Sequence, residues 1–174
     1  MEEIVLIEPK IEYSESIMAF RNEMLETNDD FAGCGSLRDC DNCKTWLDSI
    51  LMLSNEDTCP NGYVPSDSFL AVRKNDNKLI GIIELRHRIN TPILSTWGGN
   101  IGFSVRPSER GKGYAKEMLR QLLILCSELG IKRVLVTCNQ ENIASEKTIV
   151  ANGGVLDHTI CVDGKNIKRY WISL

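Results

Sequence analysis

The stretch from residue 100 to residue 137 constrains this 174-residue chain most. Residues 100–105 (NIGFSV) form a short apolar run, and Pro107 stops it, because proline cannot donate to a strand ladder. From Gly113 onward Ala115, Met118, Leu119, Leu122, Leu123, Cys126 and Leu129 recur at helical spacing, and Gly130 supplies the helix stop. Residues 133–137 then read as a second short buried strand. Strand, amphipathic helix and strand in that order form a parallel, right-handed crossover. Such a unit requires a sheet covered by helices.

The remaining pattern extends this sheet. Ile4–Ile7 reads as a strand ended by Pro9, and Ser14 as the cap of a helix carrying Ile17, Met18, Phe20, Met24 and Leu25. Asn28-Asp29-Asp30 and Gly33-x-Gly35 break that helix. Leu37, Cys40, Cys43, Leu47, Ile50 and Leu51 then repeat at helical spacing. Residues 55–66, with Pro60, Gly62 and Pro65, form a polar connection, either disordered or a flap over a site. Residues 68–74 and 78–89 read as strands joined at Asn75-Asp76-Asn77, and residues 90–99 as another connection. A helix over 142–152 ends at Gly153-Gly154. Val155–Val162 and Lys165–Ser173 form a hairpin turned on Asp163-Gly164. The expected fold class is α/β: one domain with a mixed, mostly antiparallel sheet.

Composition excludes several classes. With 43% hydrophobic and 25% charged residues, the chain is neither a disordered tail nor a fibrous rod. The N-terminus opens with two acids and a short apolar run, unlike a secretory signal, and residues 122–126 are too few to cross a bilayer. A cytoplasmic protein is expected. The net charge of −4 divides unevenly: residues 1–60 hold 4 basic and 14 acidic side chains, residues 61–174 hold 16 and 10. Neither nucleic acid nor membrane is an expected partner. Seven cysteines suit a reduced compartment. Cys34, Cys40, Cys43 and Cys59 include one C-x-x-C pair, which raises zinc. Their helical spacing and the lack of a second tight pair favour small apolar packing residues, with no metal.

The chemistry concentrates in Arg106-Pro-Ser-Glu-Arg110-Gly-Lys-Gly-Tyr-Ala115, between the strand end and the helix start. Free N–H groups and the positive dipole end of a helix bind phosphates. Glycines at 111 and 113 allow close backbone approach or positive φ. A dinucleotide fingerprint would need a glycine where Lys116 stands, and a P-loop one where Arg106 stands. The remaining pattern, Arg110-x-x-Gly113-x-Ala115, resembles the acyl-CoA pyrophosphate loop of the GNAT superfamily of N-acetyltransferases. The downstream Asn142-Ile-Ala-Ser145 with Asn152-Gly153 resembles the branch that includes ribosomal-protein N-terminal acetyltransferases. The phrase from Ile101 to Tyr114 is similar to uncharacterised bacterial acetyltransferases.

The resemblance implies a central parallel strand pair splayed at the acyl-CoA site, with helices on both faces. It implies a single domain over 1–174: acceptor-side helices and flap over 1–66, an acyl-CoA core over 67–154, and a terminal hairpin over 155–174. Acetyl-CoA is the implied cosubstrate. Amides of Phe103, Ser104 and Val105 would hold the pantetheine and carbonyl oxygen. Loop amides of Arg110, Gly111, Lys112, Gly113, Tyr114 and Ala115 would hold the pyrophosphate, and Asn142 the pantetheine arm.

The family's thiolate-protonating tyrosine falls on Ile149, leaving Ser145 as a candidate donor unless its hydroxyl only bonds the backbone. No base stands at Gly98, Gly99 or Asn100. Glu84 and His87, of opposite strand parity, are the candidate bases, with a water relay as the alternative. Cys138 reads as a small residue at a strand end rather than as a nucleophile. The acidic first third points to a cationic amine acceptor, and a homodimer is compatible with this reading. The competing classes are a non-catalytic acyl-CoA-binding or sensing module and a zinc-bearing interaction module on Cys34–Cys59.

Overall fold

The computed structural model describes residues 2–174. A seven-stranded sheet in the order β1-β2-β3-β4-β5-β7-β6 runs through it. The strands are β1 (Ile4–Ile7), β2 (Ser66–Arg73), β3 (Leu79–Arg86), β4 (Ile101–Val105), β5 (Arg133–Asn139), β6 (Val155–Val162) and β7 (Lys165–Ser173). All neighbours pair antiparallel except β4 and β5, which run parallel. The helices are α1 (Ser14–Glu26), α2 (Cys43–Ser54), α3 (Tyr114–Glu128) and α4 (Ile143–Val150).

Strand alternation sorts the apolar residues into two cores, one per face. Ile17, Phe20 and Met24 of α1 and Trp46 of α2 pack with Leu70, Val72 and Ile82 on one face. Met118, Leu119, Leu122 and Cys126 of α3 and Ile149 of α4 pack with Ile83, Ile101, Val134, Val136 and Tyr170 on the other. Cys34, Cys40 and Cys43 are buried in the first core, as small apolar residues. Among the described residues no helix is long and apolar enough to cross a membrane.

Three expectations need correcting. The periodic run from Leu37 to Leu51 is not one helix. A 3₁₀ turn, Leu37–Asp39, stops before Asn42, whose Oδ1 accepts from Thr45 N (3.0 Å) and caps α2. Leu51 is 71% exposed, off the buried stripe. Ser14 opens α1 rather than capping it; a 3₁₀ turn, Ile11–Tyr13, leads in. The connection over 90–99 contains a π-helical turn, Leu94–Gly98, closed by Gly99 N–H donating to Leu94 O (2.9 Å).

The parallel pair has a single rung, Ile101 opposite Val136, and then the strands diverge. Asn100 stands at the root of this fork, almost fully buried. Its Nδ2 donates to Arg86 O (3.1 Å) and its Oδ1 accepts from Leu135 N (2.8 Å). Its main chain joins the same strands, donating to Leu135 O and accepting from Arg86 N–H, both 2.7 Å. Asn100→Leu therefore leaves a buried N–H and a buried carbonyl without side-chain partners. We expect a loss of about 3 kcal/mol, or roughly 6–12 °C in Tm, read by thermal unfolding. An unchanged Tm would show that the fork is held elsewhere.

Candidate active site

The fork exposes main-chain donors. The β3 ladder bonds at its two ends, Arg86 N–H to Asn100 O and Arg106 N–H to Ile80 O, direct the even-numbered groups of β4 toward β3. The N–H groups of Phe103 and Val105 therefore face β5, which has already diverged. Ser104 departs from expectation, because its amide points toward β3 and its buried hydroxyl donates to Ala32 O (2.8 Å).

At the C-terminal end of β4 the chain turns through a 3₁₀ segment, Pro107–Glu109, into the glycine loop. Gly111 and Gly113 take φ of +75° and +87°. Among the described residues, no protein acceptor is found for the N–H groups of residues 111–116, which span the loop and the first turn of α3. Arg110 does not join this run: its N–H donates to Pro107 O (3.3 Å). Its guanidinium folds back to Val105 O (3.0 Å) and Asp29 (2.6 Å). Tyr114 contributes only its main chain, since its ring is in the core and its hydroxyl meets Arg73 (3.3 Å). Lys112 is tied to Glu109 (2.8 Å).

Glu109 anchors this loop. Its buried carboxylate receives Lys78 (2.6 Å), Lys112 (2.8 Å) and Arg73 (3.1 Å), joining the loop to the β2–β3 hairpin. The bonds from Lys112 and Lys78, opposed by burial, hold its carboxyl at about 2. A depressed carboxylate stabilises the fold above its ordinary value, and the contribution is lost as pH falls from about 4.5 toward 2. Acid titrations of Tm should therefore fall less steeply over that window in Glu109→Gln, which starts from a lower Tm at pH 7. Parallel curves would remove Glu109 from the account.

Beyond the other strand of the fork stands α4. The Oδ1 of Asn142 accepts from Ser145 N (3.0 Å) and caps the helix. Its Nδ2 and the Ser145 hydroxyl have no protein partner among the described residues. Ile149 is fully buried, so a core side chain fills the expected tyrosine position. Cys138 is buried, and its thiol is pushed up to about 11 by that burial and then by Glu146, which suits packing rather than attack.

The face opposite α3 and α4 carries the open side of the fork. A strained segment crosses β4 there, with Asn28, Phe31, Gly33 and Gly35 all in the left-handed region. Gly33 lies so close to Gly102 that a Cβ on it would sit 2.0 Å from Gly102 O. Over β5 and β7 lies the π turn. Its carbonyls are held by Arg86 at residues 98 and 99, by Thr137 at Trp97, and by Arg169 at residues 95 and 96. Trp97 is 42% exposed on this turn.

The two candidate bases separate. Glu84 lies opposite Gly102 on the fork's open face, its side chain 8% exposed and 2.6 Å from Arg86. His87 turns away, its Nε2 2.7 Å from Asp67 on β2, two strands from the gap. The charge asymmetry is answered in part inside the fold. Glu2, Glu3, Glu23, Asp29 and Glu56 meet Arg73, Lys74, Arg106, Arg110 and Arg88 respectively. Among the described residues no group of three or more His, Cys, Asp or Glu could hold a metal ion.

The model of the acetyltransferase (GNAT) domain matches residues 5–155. The chain belongs to this family. An uncharacterized N-acetyltransferase, YjdG of Bacillus subtilis (strain 168), is 29% identical over 103 residues, which span 56% of each chain. The chain thus matches about half the length of this curated relative. Two solved structures share the fold at lower identity. One is the Microcin C7 self immunity acetyltransferase MccE in complex with acetyl-CoA and AMP (TM-score 0.68, 18% identity, 100% of this chain and 94% of that one). The other is the Salmonella typhimurium acetyl transferase that modifies the N-terminal serine of 50S ribosomal subunit protein L7/L12 (TM-score 0.67, 17% identity, 98% and 95%).

For this GNAT domain, Gly113→Glu would place a side chain at left-handed φ and a carboxylate against the free amides. Affinity for CoA should fall by at least ~100-fold, the equivalent of about 2.7 kcal/mol, in a calorimetric titration. Retained affinity would mean that the diphosphate docks elsewhere.

Proposed function

We propose that this chain transfers an acetyl group from acetyl-CoA to a primary amine by direct attack in a ternary complex. One observation carries the reading: the unpaired N–H run over residues 111–116 lies at the end of a fork whose Phe103 and Val105 amides are also free. A diphosphate fits the first set, and a pantetheine amide and thioester oxygen fit the second. Asn142 Nδ2 would bond the pantetheine arm on the far side. Gly111, Lys112, Gly113, Tyr114 and Ala115 would act through their main chains. The acceptor would enter on the open face, between the Gly33 segment and the π turn.

The amine nitrogen attacks the thioester carbon, the C–S bond breaks, and the thiolate leaves. Glu84 takes the amine proton, directly or through water, and Ser145 gives one to the thiolate. The position of Glu84 beside Gly102 supports the first role, and the unpartnered hydroxyl of Ser145 the second. His87 stands second to Glu84 because its ring is held toward β2. The acceptor class is a cationic amine. Eight acids of the first sixty residues, among them Glu8, Glu12, Asp30 and Asp57, have no basic partner within 4 Å among the described residues. A non-catalytic acyl-CoA-binding role is the second reading, favoured by the ion pair that engages Glu84.

The test is release of the CoA thiol over a panel of polyamines, aminoglycosides, peptides with a free N-terminus and anionic amino acids. Turnover with cationic amines supports the proposal, and turnover confined to anionic ones overturns the acceptor class. Acetyl-CoA binding without release would establish the second reading. With an acceptor in hand, Glu84→Gln should lower kcat at least ~100-fold while acetyl-CoA affinity changes by less than about threefold, as loss of a general base requires. Equal kcat would transfer the role to His87 or water.

A further inference from the structure

The helix α4 is short, and a helix of 8 residues does not hold its own first turn in water. That turn carries Asn142 and Ser145, the two groups assigned to the far wall of the fork. One α4 side chain, among the described residues, hydrogen-bonds to the sheet. Glu146 accepts from Lys168 Nζ at both carboxylate oxygens (2.8 Å each) and from the Tyr170 hydroxyl (2.6 Å). Both donors stand on β7, opposite Cys138 and Val136 of β5, so the tie reaches the strand that forms the fork. Tyr170 is buried, and a lone phenol there would be costly without its acceptor.

We infer that Glu146 is a positioning residue for acyl-CoA: held by Lys168 and Tyr170, it fixes the first turn of α4 so that Asn142 Nδ2 and Ser145 Oγ face the fork. This rests on the proposed acyl-CoA reading, because it assigns those two groups to the pantetheine arm and the thiolate. Three bonds from two donors on one carboxylate define both the height and the rotation of the helix start. One apolar anchor lower in the helix, Ile149, defines only how deeply the helix sits. The main chain transmits the constraint directly, since Glu146 N–H donates to Asn142 O (3.1 Å). The bonds from Lys168 and then Tyr170 hold the Glu146 carboxyl below its ordinary value, so it is an anion at neutral pH and accepts all three bonds.

The experiment compares wild type, Glu146→Ala and Glu146→Gln by calorimetric titration with CoA and by steady-state kinetics with acetyl-CoA varied. Glu146→Ala should weaken CoA binding about tenfold and raise KM for acetyl-CoA in step, with a much smaller change in kcat at saturation. Glu146→Gln, which still accepts from Tyr170, should recover most of the affinity and stay within about threefold of wild type. A general loss of folded protein would instead lower kcat and leave Kd and KM unchanged, and that pattern overturns the inference. Unchanged binding in Glu146→Ala overturns it as well. Lys168→Met supplies an independent arm should Glu146→Ala fail to fold, with a rise in Kd again expected. Wild-type protein that binds no CoA would refute the acyl-CoA reading itself, whereas intact wild-type binding with an indifferent Glu146→Ala refutes only the positioning role.

Discussion

Two parallel strands that share one rung and then part are the constraint on which the site depends. A parallel pair normally satisfies its main-chain groups along its whole length, so a fork leaves donors without partners. In this protein the gap is confined on the β3 side by a full antiparallel ladder and at its root by Asn100, which bonds both flanking strands through side chain and main chain. The freed amides of Phe103 and Val105 then point toward the side from which β5 has parted. The same end of the sheet brings the starts of α3 and α4 together, one on each side of the gap. Ligands of parallel sheets bind at such crevices, where strand connections lead away in different directions.

The first third of the chain is fastened onto this arrangement by charge. Asp29 meets Arg110, and Glu23 receives Ser108 N–H (2.6 Å) and lies beside Arg106, so α1 and the segment after it are joined to the turn that enters the glycine loop. The Gly33–Gly102 contact then seats the same segment on β4, and Trp46 of α2 donates to Cys34 O (2.8 Å) from below. The left-handed Phe31 is a strained residue in this strap, and a conformation of that kind persists only where its surroundings fix it. The proposed acceptor side and the proposed cofactor side are therefore parts of one packed unit rather than two surfaces that meet loosely.

Much of this could be read from the residues alone, because periodicity and punctuation are local. The crossover from β4 to β5, the hairpin at Asp163-Gly164 and the glycine loop follow from patterns a few residues long. What escaped depends on contacts between distant segments. Asn100 looked like a position lacking a base, and only its neighbours on β3 and β5 reveal its role. The −10 balance of the first sixty residues looked like a surface feature, but five of those acids meet bases more than thirty residues away. Helical spacing over Leu37–Leu51 concealed a break, because a side-chain cap at Asn42 competes with continued helix in a way that an apolar count does not register. Glu146 had no sequence signal, since Lys168 and Tyr170 are contributed by another strand.

The central claim is that a diphosphate docks on main-chain nitrogens where α3 begins. Protein labelled with 15N at glycine, titrated with CoA and followed by its amide resonances, tests this directly. The account predicts that Gly111 and Gly113 shift most and saturate together with the phosphorus signals of the ligand. Resonances of Gly111 and Gly113 that stay in place while other glycines respond would contradict it.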